Sequence, residues 1–120
     1  MTRYLLEAYE AEIARVMEHL DEDICFVGHT HELRLVSISG KRVEYQPLKR
    51  GSVSLPEGKR YIINAGSVGQ PRDGDNRAKY VIWDTEARIL EVRRIPYNIP
   101  LTAEKIRQRG LPEFNAHRLF

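Results

Sequence analysis

The segment from Ile24 to His31 reads ICFVGHTH. Its first four residues are apolar without alternation, which is typical of a strand buried on both faces in the interior of a parallel sheet. Such a strand needs parallel neighbours, and we expect nothing downstream to supply them. Cys25 lies within this apolar run, so we expect it to be a small buried hydrophobic residue.

Two histidines follow this strand directly. Gly28 permits a sharp exit from the strand, and Thr30 separates His29 from His31. Ligands of open α/β sheets bind at the carboxyl ends of strands, and in an extended segment residues i and i+2 point to the same side. Neutral imidazole is a common ligand of divalent transition metals. The residues alone favour a metal site here about as strongly as an ordinary polar loop.

Before this strand, apolar residues recur at steps of three and four between residues 3 and 20, which predicts an amphipathic helix. After it, the sequence from residue 32 to residue 96 alternates between apolar stretches and turns. The predicted strands are residues 33–39, 42–46, 61–63, 79–83 and 88–95. The first two and the last two of these form hairpins, and we expect residues 47–59 to be a loop.

The end of the chain is predicted to be helical. Thr102 is expected to cap a short helix that Gly110 ends, and Pro112 to open a further turn up to Leu119. The order is therefore helix, buried strand, antiparallel strands and short helices. We predict one mixed α/β (α+β) domain over residues 1–120, which resembles a layer of a larger sheet structure.

A glycine-rich segment at residues 64–75 reads NAGSVGQPRDGD. Its three glycines, mixed with Asn, Ser and Asp, allow main-chain amides to point at an anion. Arg72 offers a bidentate donor for a phosphate group. A long decorated hairpin loop without any ligand explains this composition equally well, so both interpretations stay open on composition alone.

Charge and composition exclude several classes of protein. The 120 residues include 19 basic and 17 acidic side chains, a balance that argues against a dedicated nucleic-acid surface. The apolar runs are far shorter than the roughly 20 residues that cross a bilayer, and no apolar secretory core follows Met1. The single cysteine fits a reducing compartment. We predict a cytoplasmic protein that does not bind membranes.

Residues 24–31 and 61–75 together resemble the calcineurin-like metallophosphoesterases of bacteria and archaea, in which a GHTH-type loop precedes an N-x-G-S-V-G-Q-P-R segment. The resemblance covers nearly the whole chain. It implies a four-layer αββα sandwich with a two-metal site between its sheets. This chain would be the C-terminal half of that sandwich, mostly its antiparallel second sheet with the flanking helices.

The resemblance also implies roles for particular residues. His29 and His31 would each bind one of two divalent ions of the Mn, Fe, Zn or Ni class. The residues that it places on the phosphate side are Asn64, Gly66, Ser67 and Arg72. The implied reaction is the hydrolysis of a phosphate monoester or diester with the help of both metals, as in a phosphodiesterase-type hydrolase. Ala65 departs from the proline of many relatives.

The family's earlier motifs, which supply carboxylates and further histidines, do not occur in this sequence. Two metal ions lie roughly 3.5–4 Å apart in such sites, and two neutral imidazoles cannot offset their repulsion. Catalytic sites also use three or more protein ligands. We therefore expect weak or no metal binding by this chain alone, and a truncated, inactive phosphoesterase.

Three interpretations of the chain remain open from the sequence. In the first, the missing N-terminal half completes the enzyme, and the opening helix and buried strand pack against another chain. In the second, the chain is a non-catalytic binding or assembly module. In the third, two copies form a homodimer in which His29 and His31 of both chains make one metal site.

Overall fold

The computed structural model of the chain describes residues 11–19, 21–49 and 51–120. Residues 11–17 are helical and are labelled α1; the predicted helix spans residues 3–20, of which 3–10 and 20 lie outside the described residues. The described residues form seven strands, which are β1 (Ile24–Val27), β2 (Leu33–Ser39), β3 (Arg42–Pro47), β4 (Gly51–Ser54), β5 (Arg60–Ala65), β6 (Ala78–Asp84) and β7 (Ile89–Ile95). Two helices follow, α2 (Ile99–Gln108) and α3 (Glu113–His117).

The first sheet contains four strands in the order β1, β5, β2 and β3. β1 runs parallel to β5, with Ile24 opposite Tyr61, whereas β2 is antiparallel to both of its neighbours. The expectation that nothing downstream supplies a parallel neighbour is therefore wrong. β5 is that neighbour; it extends from Arg60 to Ala65, beyond the predicted residues 61–63, and is buried from Tyr61 to Asn64.

β1 is not buried on both faces. Among the described residues it pairs with β5 alone, and Phe26 is 47% exposed. Cys25 is only partly buried, so its predicted burial is wrong. β5 is covered on both faces, because Ile63 packs between the sheets and Ile62 packs on the opposite face.

The second sheet contains β4, β7 and β6 in antiparallel order. Both predicted hairpins, β2–β3 and β6–β7, are confirmed by the strand register. The expected loop over residues 47–59 is wrong in part, because β4 lies within it. Glycine and serine are disfavoured in strands, but Val53 pairs with Leu90 and packs against the core.

The layers follow from which face each apolar residue covers. Leu35 and Ile63 of the first sheet meet Leu90 and Val92 of the second sheet in the main core. On the other side of the first sheet, Met17 of α1 packs against Val36 and Ile62. Arg60 also donates to the Met17 carbonyl, which attaches α1 to β5. The order is thus helix, four-stranded sheet and three-stranded sheet.

The last two helices pack against each other through Ala103 and Ala116. α2 begins three residues before the predicted cap, because Asn98 is its N-cap and its side-chain oxygen accepts from the Leu101 amide at 3.0 Å. Thr102 is therefore not the cap. Instead, its hydroxyl donates to the Asn98 carbonyl at 3.0 Å within the first turn.

The predicted fold class is confirmed, since the described residues form two sheets and a few helices in a mixed α/β arrangement. Gly110 follows α2 with φ of 68°, as its predicted role in ending the helix requires. No helix within the described ranges has both the length and the apolar character to cross a bilayer.

Because the two sheets pack through a buried core, two isoleucines should differ strongly in their contribution to the free energy of unfolding. Ile63 is 0% exposed, and we expect Ile63→Ala to lower the free energy of unfolding by about 2–5 kcal/mol, because it leaves a cavity. Ile82 on β6 is 40% exposed, and Ile82→Ala is the matched control with an expected cost of about 1 kcal/mol or less. Urea unfolding measures both. Equal losses would show that the sheets do not pack as described.

Candidate functional site

Two loops meet at one edge of the first sheet. The loop at residues 28–32 follows β1, and the glycine-rich loop at residues 66–77 follows β5. Because β1 and β5 are parallel neighbours, their carboxyl ends lie side by side, with Val27 opposite Asn64. The predicted metal ligands and the predicted phosphate-side residues therefore begin at the same edge, which is where open α/β sheets bind ligands.

The Asn64 side chain joins these two loops. Its amide nitrogen donates to the Gly28 carbonyl at 3.2 Å and to the Thr30 hydroxyl at 2.7 Å, and its oxygen accepts from the Gly66 amide at 3.0 Å. Asn64 is only 5% exposed. A carboxamide has both the donors and the acceptor that these bonds need. The Gly66 amide is consequently engaged by Asn64 and does not point at an anion.

His31 contacts the second loop directly. Its Nδ1 lies 3.2 Å from the Ser67 hydroxyl oxygen, which also accepts from the Gln70 amide at 2.8 Å. That oxygen has two acceptor positions, so it can accept from the Gln70 amide and also from His31 Nδ1 in the tautomer that carries its proton there. In that tautomer the His31 Nε2 has a free lone pair, as a metal-binding imidazole requires. Ser67 therefore orients His31.

The backbone of the histidine loop is not extended. His29 has φ of 82° and His31 has φ of 64°, both in the left-handed region that non-glycine residues seldom adopt. The expectation that extended geometry directs both rings to one side is wrong. The loop is held instead by the hydrogen bonds of Asn64 to Gly28 and Thr30. Strain of this kind persists only where the surrounding contacts enforce it.

The donors at this loop do not complete a two-metal site. Within residues 11–19, 21–49 and 51–120, no group of three or more His, Cys, Asp or Glu side chains has metal-binding geometry. His29 and His31 could supply two imidazole ligands but no carboxylate, so the described residues fit only part of such a site. Further ligands would have to come from outside them.

Lys79 is a structural feature that the sequence did not reveal. It is 2% exposed, pairs with the Asp73 carboxylate at 3.1 Å and donates to the carbonyls of Asp75 and Arg77. A Cβ at Gly66, where φ is 79°, would lie 3.0 Å from Leu33 and 3.4 Å from the Lys79 stem. Glycine is therefore needed at position 66 for close packing as well as for its backbone conformation.

An ion-pair network fixes the far end of the glycine-rich loop. Arg77 donates to both carboxylate oxygens of Asp75, at 3.0 and 2.6 Å, and Arg94 donates to Oδ2 at 3.1 Å. The Arg77 guanidinium holds the pKa of the Asp75 carboxyl well below its usual range. Asp75 is thus ionised at neutral pH, and both loop carboxylates already have cationic partners.

Arg72 does not join this network. It is exposed and, among the described residues, makes no hydrogen bond or ion pair. It lines a cavity of about 220 Å³ together with Gln70, Pro71 and Arg118. Of the predicted site residues, the structure thus brings His31, Asn64, Gly66 and Ser67 into direct contact with each other or with a shared loop, and it places Arg72 at this adjacent cavity.

The chain is similar to known proteins over most of its length. No protein-family profile matches the chain. Over 98 residues, or 82% of the chain, it is 44% identical to an uncharacterized protein, MJ0912, of Methanocaldococcus jannaschii. The crystal structure of a metallophosphoesterase from Sphaerobacter thermophilus matches 89% of the chain with 39% identity and a TM-score of 0.73.

The chain spans 39% of the length of the Methanocaldococcus protein and 45% of the Sphaerobacter chain. The fold of the described residues matches that of part of a solved metallophosphoesterase. The similarity supports the metallophosphoesterase superfamily, in agreement with the resemblance of residues 24–31 and 61–75.

The bridging role of Asn64 predicts the effect of a near-isosteric change. Asn64→Asp removes both donors and buries a carboxylate, so we expect it to lower the free energy of unfolding by roughly 1–3 kcal/mol. We also expect faster amide hydrogen exchange at residues 28–31. Asn76 is exposed, and Asn76→Asp is the matched control. Unchanged exchange in the Asn64 variant would contradict the proposed bridge between the loops.

Proposed function

We propose that the chain is the C-terminal half of a metal-dependent phosphoesterase that hydrolyses phosphate monoesters or diesters. The observation that carries this proposal is the joining of the histidine loop to the glycine-rich loop by Asn64, with His31 in contact with Ser67. The similarity to a solved metallophosphoesterase at 39% identity supports the same conclusion.

In this proposal His29 and His31 are metal ligands, and Ser67 is a positioning residue that holds His31 in one orientation. The metal ions, of the Mn, Fe, Zn or Ni class, would supply Lewis-acid assistance to phosphate-ester hydrolysis in the complete protein. Since the described residues supply only two imidazoles, the carboxylate ligands are assigned to the other half of the enzyme. This chain alone is expected to bind metal weakly and to be inactive.

The exposed edge of β1 is consistent with such a second half. Phe26 lies on the same face of β1 as Ile24, which packs against the inter-sheet core, yet Phe26 is 47% exposed. A segment that extends the first sheet beside β1 would bring new residues to the edge that carries the histidine loop. We propose that the missing half pairs there, and that the complete protein works in the cytoplasm, as the single cysteine suggests.

A chimera tests this proposal. The matched 45% of the Sphaerobacter protein would be replaced by this chain, and hydrolysis of p-nitrophenyl phosphate and bis(p-nitrophenyl) phosphate measured with Mn²⁺. We expect no turnover by the chain alone and clear turnover by the chimera. In the chimera, Ser67→Ala should lower the rate roughly 10- to 100-fold, as loss of a residue that orients a metal ligand does, and His31→Ala should lower it further.

His117 on α3 is exposed, and His117→Ala in the chimera is the matched control, with no expected loss. Turnover by the isolated chain that survives His31→Ala would show that the histidine loop is not the catalytic site. A folded but inactive chimera would show that this chain does not provide half of such a site.

A further inference from the structure

A small cavity between the glycine-rich loop and the end of the chain is lined by two arginines. Its volume is about 220 Å³, and its walls are formed by Gln70, Pro71, Arg72 and Arg118. Arg72 belongs to the glycine-rich loop, whereas Arg118 follows α3 near the end of the chain. Two guanidinium groups from distant parts of the sequence therefore face one space that has room for a phosphate group.

Arg118 is oriented by contacts on both sides. One of its terminal nitrogens donates to the Gln70 side-chain oxygen at 3.3 Å, and its guanidinium carbon lies 5.0 Å from the centre of the Phe114 ring. Contact with an aromatic face and a neutral acceptor holds a guanidinium in place and leaves its charge uncompensated. The remaining N–H groups of Arg118 are thus free to bind an anion.

The acidic side chains of the neighbouring loop do not neutralise these arginines. Asp73 pairs with Lys79, and Asp75 pairs with Arg77 and Arg94. Within the part of the chain that the structure describes, Arg72 and Arg118 pair with no carboxylate. The cavity therefore combines two unpaired cations of the kind that recognises phosphate through paired hydrogen bonds.

Gln70 links the cavity to the candidate metal site. Gln70, which contacts Arg118 through its side chain, donates through its backbone amide to the Ser67 hydroxyl at 2.8 Å. The same hydroxyl contacts His31 at 3.2 Å. Gln70 therefore contacts Arg118 of the cavity and, through Ser67, is linked to His31 of the histidine loop.

We propose that this cavity binds a second phosphate group of the substrate. The substrate class would then be an organic phosphate that carries two phosphate groups, one at the histidine loop and one between Arg72 and Arg118. The inference rests on the proposed function for the position of the first phosphate. The binding of a phosphate group in the cavity itself needs no metal.

The test uses the 120-residue chain with a chelator present, so that metal sites do not contribute. Methyl phosphate and inorganic phosphate are titrated separately at low salt while the side-chain Nε–Hε signals of the arginines are followed by NMR. We expect both ligands to bind saturably and to shift the signals of Arg72 and Arg118. Methyl phosphate carries an ester group, as a phosphate group within a larger substrate does. A cavity that binds such a substrate must therefore bind methyl phosphate.

Four variants give the magnitude. Arg72→Ala and Arg118→Ala should each weaken binding of methyl phosphate roughly tenfold, because each removes a charged hydrogen bond. Arg118→Lys keeps the charge but loses the planar fork, so it should also weaken binding. Arg42 on β3 pairs with Glu44, and Arg42→Ala is a control that removes one positive charge outside the cavity and should have no effect.

Three outcomes would overturn the inference: no saturable binding, equal losses in Arg42→Ala and Arg118→Ala, or binding of inorganic phosphate but not of methyl phosphate. The last would indicate a free-anion site. Failure of the chimera to hydrolyse esters would refute the proposed function but would not affect the inferred binding of phosphate by the isolated chain. An active chimera without this binding would refute only the second phosphate position.

Discussion

The parallel pairing of β1 with β5 is the constraint on which the rest of the site depends. It brings the carboxyl ends of two strands together, with Val27 opposite Asn64, although more than 30 residues of chain separate them. The buried Asn64 side chain then holds both loops in place through its hydrogen bonds to Gly28, Thr30 and Gly66. Leaving a buried polar group without a partner costs roughly 1–3 kcal/mol, so these bonds favour the paired arrangement of the two loops.

The same constraint explains why unusual conformations are concentrated at this edge. The left-handed backbone of His29 and His31 and the close packing of Gly66 on Leu33 and Lys79 all lie within the two loops. The buried Lys79 and the ion pairs of Asp75 hold the glycine-rich loop in place. Rigid support of this kind is what a metal ligand or a phosphate-binding side chain needs if it is to act without reorganisation.

Local patterns allowed much of the fold to be predicted. The β2–β3 and β6–β7 hairpins follow from alternation across short turns, and the motifs at residues 24–31 and 61–75 indicated the correct class of fold. Non-local features were missed. β1 and β5 are neighbours in the sheet although β2, β3 and β4 lie between them in the sequence, and β4 is a strand because it pairs with β7 despite its poor strand composition. At the site, Lys79 was missed although its alternation with Val81 and Trp83 places it on the core face. The φ angles of the histidines leave no trace in the sequence.

In the proposed function, the histidine loop supplies two ligands of a metal centre whose remaining ligands lie outside the described residues. Titration of the isolated chain with Mn²⁺ by calorimetry tests this proposal, with the His29→Ala/His31→Ala double variant as reference. We expect weak binding that the double variant abolishes. Tight binding of two ions per chain would contradict the proposal. Saturation at half an ion per chain would indicate that a second copy of this chain supplies the remaining ligands.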